Sequence, residues 1–408
     1  MRPCRSKAGT GKIVNRPRLR YPYGKRASRR AGRQKEDIVT ERFHTIEAKG
    51  VKLTLDTAVG HVRRFEVERD GRRIAPLHVA PWVDDPAVAN STDPGILPNL
   101  KFLAGDFFCA PFSTSDVEAG TPGHGWPGNS EWKVLGETRL ADGVTARYEL
   151  LKKVMGATLV KEITLRDGHP FAYQSHIFSG GTGAVSAASH AMTRFSKEGH
   201  LSFSPKQFGE LPATQQESDP ARGRSLFATD RRFTDLRKLP LADGSTVDLH
   251  HYPLASGHED FVMLVEAKDS PLGWAAAARP AEGDIMLSLK NPADFPVTFL
   301  WFSNGGRYYE PWNSRHLGVL GIEEGRALGA AGHAASIAPN PLSEAGIPTS
   351  ITLGPNARVE LRHVIGGVPL PAGWTSVFSV DAAGGALKLT GDTGASVTVP
   401  FDLGFVKR

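Results

Sequence analysis

The amino-acid sequence predicts an all-β fold, either a sandwich or a barrel. Three observations lead to this prediction. Short segments alternate apolar and polar residues, as a strand with one buried face requires. Asp-Gly and Met-Gly pairs separate these segments at the short intervals expected of hairpin turns. Convincing helical periodicity is nearly absent, and the 408 residues are enough to bury a sizeable core.

The candidate strands begin near the amino-terminal end of the predicted domain, where apolar residues alternate over residues 51–55. Asp70-Gly71 divides residues 65–79 into a hairpin, and a meander follows over residues 137–178. The turns of the meander are expected at Asp142-Gly143, Met155-Gly156 and Asp167-Gly168. Later strands are predicted at residues 246–252, 261–266, 274–279, 284–289, 297–302, 350–353, 358–364, 377–380, 387–390 and 396–400. Residues 323–335 form a short helix at best.

The net charge of +6 comes from the amino-terminal end of the chain. Residues 1–35 contain thirteen Lys or Arg and no acid, which leaves 36 basic against 43 acidic residues in the remainder. Residues 1–37 also lack hydrophobic periodicity, so we expect a disordered basic tail followed by a single domain over residues 38–408. The tail is interpreted as a solvated extension or as upstream sequence translated from a misplaced start. A nucleic-acid or membrane-surface arm is the functional alternative, and nucleic acid is not an expected partner of the acidic domain.

Composition and missing motifs exclude several classes of protein. The two cysteines, Cys4 and Cys109, lie in the tail and in an apolar segment, so we expect no disulfide and a reducing, cytoplasmic location. No apolar run approaches the ~18 residues of a membrane helix. A Walker loop, a dinucleotide fingerprint and a nucleophile elbow are all absent from the sequence. His250-His251 and His258-Glu259-Asp260 lack a spacing specific for zinc, so we expect no metal and no organic cofactor. The sequence leaves the oligomeric state open.

Two histidines and a glutamate from distant segments are the candidates for acid–base chemistry. His124 lies in a Pro- and Gly-rich loop, where the flanking glycines let a ligand approach closely. His190 lies among small residues in a strand-like run, and Glu323 follows an apolar run. A carboxylate that ends an apolar strand is costly to bury unless it is paired or functional. The alternatives are that His124 is a turn residue, that His190 is a core residue, and that Glu323 or Glu324 is a surface residue.

The order of these motifs resembles that of the aldose 1-epimerase (galactose mutarotase-like) superfamily. The resemblance is carried by the loop PGHGW at residues 122–126 followed by Trp132, by SHA at residues 189–191 and by GIE at residues 321–323. Order and rough spacing agree from about residue 45 to residue 365. The resemblance implies a large antiparallel β supersandwich. It also implies that Glu323 is the base, that His190 is the acid and that His124 holds sugar hydroxyls.

The sequence departs from the pattern of that family at two positions. The family's arginine before the first histidine corresponds here to Lys101, which is a point charge and not a planar fork. The family's substrate-binding aspartate, which precedes a Phe strand, corresponds to His258. Arg307 and Arg315 are additional cations near Glu323. We expect one of them to line the mouth of the cleft and to recognise a polar or anionic substituent.

These expectations together describe an enzyme that interconverts the anomers of a small-molecule sugar by general acid–base catalysis. Glu323, His190 and His124 should converge on one concave site, with His190 facing Glu323 across a sugar-sized gap. Trp312 should stack on a face of the sugar. A non-catalytic carbohydrate-binding protein of the same fold is the alternative, and a nucleic-acid-associated protein that acts through its tail is a third interpretation.

Overall fold

The computed structural model describes residues 41–407. The basic tail predicted at residues 1–37 lies outside this range, and so does the predicted boundary between tail and domain. The described residues fall into one compact unit. Within them, no helix is both long enough and apolar enough to cross a membrane.

Strands dominate the described residues. The first fourteen are β1 (Phe43–Ala48), β2 (Val51–Asp56), β3 (His61–Arg69), β4 (Arg72–Ile74), β5 (Phe108–Cys109), β6 (Trp132–Leu140), β7 (Gly143–Leu150), β8 (Thr158–Arg166), β9 (Phe171–Ser179), β10 (Gly183–Val185), β11 (Ala187–Ser189), β12 (Ala191–Arg194), β13 (Gly199–Phe203) and β14 (Lys206–Glu210). The next fourteen are β15 (Arg232–Phe233), β16 (Leu239–Pro240), β17 (Thr246–Val247), β18 (His251–Tyr252), β19 (His258–Glu266), β20 (Gly273–Arg279), β21 (Asp284–Lys290), β22 (Val297–Asn304), β23 (Val319–Arg326), β24 (Ile351–Leu353), β25 (Arg358–Pro369), β26 (Val377–Ala383), β27 (Ala386–Gly391) and β28 (Ser396–Pro400).

The helices are short and lie in the connections between strands. They are α1 (Pro86–Ala89), α2 (Pro98–Lys101), α3 (His333–Ile337), α4 (Pro341–Glu344) and α5 (Leu403–Lys407), with 3₁₀ turns at Trp126–Gly128, Leu236–Lys238 and Gly329–Ala331. Asp85 caps α1 by accepting a hydrogen bond from the backbone N–H of Ala87. Asn340 caps α4 in the same way, and both helices have proline in the first turn, where its missing N–H does no harm.

Two large antiparallel sheets form the body of the fold. The nine-stranded sheet has the order β18-β13-β20-β21-β25-β9-β8-β7-β6. The eight-stranded sheet has the order β15-β14-β19-β22-β23-β11-β5, and β12 pairs with β23 beside that path. The all-β prediction is therefore confirmed.

The two large sheets pack face to face through alternate residues of their strands. Apolar side chains of both sheets share one core, among them Val262, Leu264, Leu300 and Phe302 from the eight-stranded sheet and Ala277, Met286 and Ile365 from the nine-stranded sheet. The four-stranded sheet β1-β2-β3-β4 packs into the same core. The three-stranded sheet β26-β27-β28 covers the outer face of the nine-stranded sheet. Loops and short helices cover the outer face of the eight-stranded sheet.

A buried charged cluster also lies between the two large sheets. Lys290 Nζ is 3.0 Å from Glu266 Oε1 and 2.5 Å from Glu324 Oε2, and Lys206 pairs with the same oxygen of Glu266. Each charge has an opposite charge beside it, as burial requires. Glu324 is fully buried, so the surface position considered for it in the sequence analysis is wrong.

Local structure follows the sequence signals in part. At the predicted hairpin turn, Asp70 and Gly71 have φ values of 52° and 69°, and these join β3 to β4 as a two-residue turn requires. The strand predicted at residues 246–252 is interrupted, because Asp248 accepts a hydrogen bond from the backbone N–H of His250 and turns the chain. The helix considered at residues 323–335 is mostly wrong, since Glu323 lies within β23.

Candidate active site

A cavity of about 260 Å³ lies on the outer face of the eight-stranded sheet. Its aromatic wall consists of Phe107, Phe112, Phe261, Trp301 and Trp312. The polar side chains in its lining are Asn99, Ser113, His124, His190, Gln216, Arg307 and Glu323. An apolar wall with a few convergent polar groups is typical of a small-molecule site.

Strand β23 brings Glu323 to this cavity. Alternate residues of a strand point to opposite faces of the sheet, so Ile322 enters the core between the sheets while Glu323 points outward. On the neighbouring strand β22, Phe299 lies opposite Glu323 and Trp301 lies opposite Gly321. A Cβ atom at Gly321 would lie 2.8 Å from Glu323 Oε1 and 3.2 Å from Trp301 Cβ. Glycine at this position therefore leaves the room that the carboxylate occupies.

His190 lies between β11 and β12, where two hydrogen bonds hold its backbone. Its N–H donates to Phe107 O at 2.8 Å and to Asp106 Oδ1 at 3.1 Å. The imidazole stacks on Phe107 with ring centroids 4.5 Å apart and meets Trp301 edge-on at 5.4 Å. His190 Nε2 is 3.2 Å from Glu323 Oε1. The two side chains are in direct contact, so the sugar-sized gap expected between them is wrong.

Burial sets the protonation of this pair. Removal from water raises the pKa of Glu323 well above its ordinary value and lowers the pKa of His190 well below its own. Both shifts favour the uncharged forms. A carboxylic acid beside an imidazole carries the same number of protons as a carboxylate beside an imidazolium. Proton transfer across the Glu323–His190 contact therefore interconverts the neutral pair and the ion pair.

His124 reaches the cavity from the loop that precedes the 3₁₀ turn Trp126–Gly128. Its backbone has a φ of 63°, a left-handed conformation that a histidine tolerates better than a β-branched residue does. Its ring stands edge-on to that of His190 with centroids 5.7 Å apart, and its Nδ1 is 3.5 Å from Sγ of Cys109. Burial, together with the charge of Arg307, lowers the pKa of His124 to about 4. The imidazole is therefore neutral near pH 7 and has one donor and one acceptor nitrogen.

Arg307 enters the cavity wall between two carboxylates. Its Nε donates to Glu217 Oε1 at 2.7 Å, and its Nη1 is 3.3 Å from Glu259 Oε1. Its guanidinium lies 4.6 Å from the ring centroid of Trp312, which also lines the cavity. Glu259 accepts a hydrogen bond from the indole N–H of Trp301 at 2.6 Å. Burial raises the pKa of Glu259 to about 7, although the charge of Arg307 acts in the opposite direction.

Two of the cations proposed from the sequence lie outside the cavity lining. Lys101 Nζ donates to the backbone oxygen of Ser91 at 2.6 Å. Arg315 Nε donates to the backbone oxygen of Pro311 at 2.9 Å, and its Nη1 is 4.0 Å from Asp85 Oδ2. The cavity lining contains Arg307 but neither Lys101 nor Arg315.

His258 is also outside the cavity, for a reason of register. It lies on the core-facing side of β19, where its Nδ1 is 2.8 Å from Asp260 Oδ2. Asp260 in turn accepts hydrogen bonds from the backbone N–H groups of Leu226 and Phe227. The next residue, Glu259, points to the opposite face and contacts Arg307. A shift of one position along a strand thus exchanges the histidine for the carboxylate.

Several residues of the site were missed by the sequence analysis. Phe107 and Phe112 belong to an apolar run that predicts only a buried segment, and Trp301 belongs to a strand with apolar residues on both faces. Gln216 comes from a polar connection without a motif. Within residues 41–407, no group of three or more His, Cys, Asp or Glu side chains is arranged to hold a metal ion.

Comparison with known proteins bears on the fold. A scan against protein-family models and a search of curated protein sequences found no match. Solved structures do match. A protein of Escherichia coli K12, provisionally described as an aldose 1-epimerase, aligns with 80% of this chain and 99% of its own at 14% identity and a TM-score of 0.53. One of Klebsiella pneumoniae with the same provisional description aligns with 78% of this chain and 77% of its own at 17% identity and a TM-score of 0.51.

A provisionally described mutarotase of Salmonella typhimurium aligns with 80% of this chain and 90% of its own at 11% identity and a TM-score of 0.50. This chain has the galactose mutarotase-like fold. The resemblance stated from the sequence motifs is confirmed as a shared fold. Because the identities are low, the chemistry of this mutarotase-like sandwich has to be argued from its own side chains.

Proposed function

We propose that this protein interconverts the anomers of a sugar, with Glu323 as the general base and His190 as the general acid. The observation that carries the proposal is the direct contact between these two side chains, 3.2 Å apart in an aromatic-lined cavity. At about 260 Å³, the cavity is slightly smaller than the ~300–1,000 Å³ typical of sites for drug-sized ligands, so it suits a ligand as small as a monosaccharide.

The proposed reaction opens and recloses the sugar ring. Glu323, as carboxylate, takes the proton of the C1 hydroxyl while the C1–ring oxygen bond breaks and a C1 carbonyl forms. His190, as imidazolium, gives its proton to the ring oxygen. Rotation about the C1–C2 bond followed by the reverse proton transfers closes the ring as the other anomer. A well-placed acid or base each contributes roughly 10²–10⁴ in rate, and no metal or organic cofactor is needed.

The cavity wall supplies the remaining functions. Phe107 and Trp301 fix the ring of His190, so that the acid is held in one orientation before the substrate arrives. His124, neutral near pH 7, has one donor and one acceptor nitrogen for sugar hydroxyls. Trp312 offers an apolar face on which a sugar ring can stack.

The test compares turnover with binding in matched variants. Glu323→Gln keeps the shape of the side chain and removes its basicity, and His190→Asn removes the acid. We expect both variants to lose at least about a hundredfold in the rate of anomer interconversion, as followed by polarimetry or proton NMR, and to keep sugar binding. The exposed Glu344→Gln variant serves as the control and should retain the wild-type rate. Wild-type rates in either active-site variant would refute the assigned roles.

Non-catalytic carbohydrate binding is the second candidate, and one observation favours it. Because Glu323 and His190 are in direct contact, a sugar must separate them or approach from one side before both can act. Binding measured by calorimetry on the wild-type protein, without any acceleration of anomer interconversion for any bound sugar, would favour this second function.

A further inference from the structure

Arg307 is the one Lys or Arg among the described residues that line the cavity. It is largely buried, and its positive charge faces two carboxylates at once. Glu217 Oε1 lies 2.7 Å from Nε, and Glu259 Oε1 lies 3.3 Å from Nη1. Nη2 has no hydrogen-bond partner among residues 41–407. Nη2 therefore remains available to donate a hydrogen bond to a ligand. The positive charge of the guanidinium is already balanced by the two carboxylates.

The two carboxylates are held in place by groups other than Arg307. Tyr309 donates its hydroxyl to Glu217 Oε1 at 2.8 Å. Trp301 and Ser303 donate to the two oxygens of Glu259 at 2.6 Å and 3.0 Å. Neither carboxylate can swing away from Arg307 without losing these hydrogen bonds. The pairing is thus built into the wall of the site and is not an incidental contact between flexible side chains.

The other groups around the cavity add no positive charge. His124 and His190 are neutral in the resting site because burial lowers the pKa of each. Glu323 is neutral or negative. Arg222, which stacks on Tyr309 at 4.0 Å, is exposed and lies outside the cavity lining. A carboxylate or phosphate on a bound sugar would lose its hydration shell and find no net positive charge in return.

We propose that Glu217 and Glu259 are specificity-determining residues, which neutralise Arg307 so that the site accepts uncharged sugars and rejects acidic and phosphorylated ones. Arg307 then serves as a hydrogen-bond donor to a sugar hydroxyl. This inference rests on the proposed function, because it concerns the choice among sugars. From the sequence, Arg307 or Arg315 was expected to recognise a polar or an anionic substituent. The present inference keeps the polar substituent and excludes the anionic one.

The first experiment removes one negative charge at a time without changing side-chain size. Binding of glucose, glucuronate and glucose 6-phosphate is measured by calorimetry at about pH 8, where Glu259 with its pKa of about 7 is ionised, for the wild-type protein, Glu217→Gln and Glu259→Gln. We expect the wild type to bind glucose at least about tenfold more tightly than either anion. Each variant should shift the anion-to-neutral ratio of affinities by about tenfold toward the anions, since a unit charge several ångströms away in a partly buried site is worth that much.

The matched control is Glu210→Gln, which removes a carboxylate from an ion pair with Arg232 outside the cavity. It should leave the ratio unchanged. An unchanged ratio in both cavity-wall variants, or a wild-type preference for an anionic sugar, would overturn the inference even if anomer interconversion is established. Selective binding of glucose without turnover would overturn the proposed function alone. Failure to bind any of the three sugars would overturn both.

A second measurement needs no variant and covers the case in which a variant does not fold. Glu259 contacts Arg307, and the hydroxyl of Ser303 links it to His316. On its own strand, Glu259 adjoins His258. Because burial raises the pKa of Glu259 to about 7, acidification to about pH 5.5 neutralises it while glucuronate remains an anion. The wild-type preference for glucose over glucuronate should therefore weaken several-fold between about pH 8 and pH 5.5. A preference that is constant or grows stronger on acidification would contradict the role of Glu259.

Discussion

Replacing Glu259 by glutamine should change how the stability of the protein depends on pH. Glu259 is 1% exposed, and it accepts hydrogen bonds from Trp301 and Ser303. Burial raises its pKa from 4.5 to about 7, against the opposing effects of Arg307 and of these two hydrogen bonds. The side chain therefore holds its proton more tightly in the folded protein than in the unfolded chain.

The sign and size of the effect follow from proton linkage. Below about pH 4 the carboxyl group is protonated in both states, and its titration leaves the free energy of unfolding unchanged. Between pH 4.5 and about 7 the unfolded chain releases the proton and the folded protein keeps it, so stability falls as the pH rises. One pKa unit corresponds to about 1.4 kcal/mol, so this single group should remove about 3 kcal/mol across the window. The Glu259→Gln variant lacks this titrating carboxyl group, so it should not show this pH-dependent loss of stability.

Urea unfolding at about pH 5, 6, 7 and 8 measures the effect directly. The free energy of Glu259→Gln relative to wild type should become more favourable by about 2.5 kcal/mol from pH 5 to pH 8, with similar m-values. Glu68→Gln, at an exposed position of β3, controls for the loss of a carboxylate in general. A difference between Glu259→Gln and wild type that does not change with pH would refute the linkage argument.

Three further predictions concern the site, the core beneath it and an exposed ion pair. Gly321→Ala places a Cβ 2.8 Å from Glu323 Oε1 and should displace this base. We expect kcat/KM for anomer interconversion to fall by about a hundredfold. An unchanged kcat/KM would show that the carboxylate tolerates the shift. Lys290→Met leaves Glu266 and Glu324 buried without their shared cation and should cost about 3–5 kcal/mol in urea unfolding. Arg147→Met removes the exposed partner of Glu162 and should cost less than about 1 kcal/mol, so equal losses for the two variants would contradict the role of burial.

The strands and their class were accessible from the sequence because their signals are local. Alternation of apolar and polar residues indicates which face of a strand is buried. Asp70-Gly71 indicates a hairpin turn, because such a pair readily adopts the positive φ values that the turn requires. The interruption near Asp248 was not accessible in this way. A side chain that bonds its own backbone competes with the sheet, and only the surrounding contacts decide which of the two is formed.

The candidate site was accessible in its parts and not in its arrangement. His124, His190 and Glu323 were selected because each combines suitable chemistry with a segment that matches one family pattern. Their shared cavity, by contrast, depends on the pairing of β12 with β23 and on a loop that crosses the outer face of that sheet. The number of residues between two positions does not determine their distance across a sheet. The distance between His190 and Glu323 therefore depends on the tertiary structure.

The sequence by itself determined the strand-rich class and the acidic character of the body, because these properties depend on residue type and local pattern. It suggested the candidate acid and base only through their resemblance to a family pattern. Only the tertiary structure decided that Glu259, and not His258, meets Arg307, and that Glu324 is buried while Glu323 lines the cavity. Adjacent residues of a strand face opposite sides of the sheet, so one step in register separates a residue of the core from a residue of the site. Which side becomes the site is set by the packing of the second sheet, which involves residues far away in the chain.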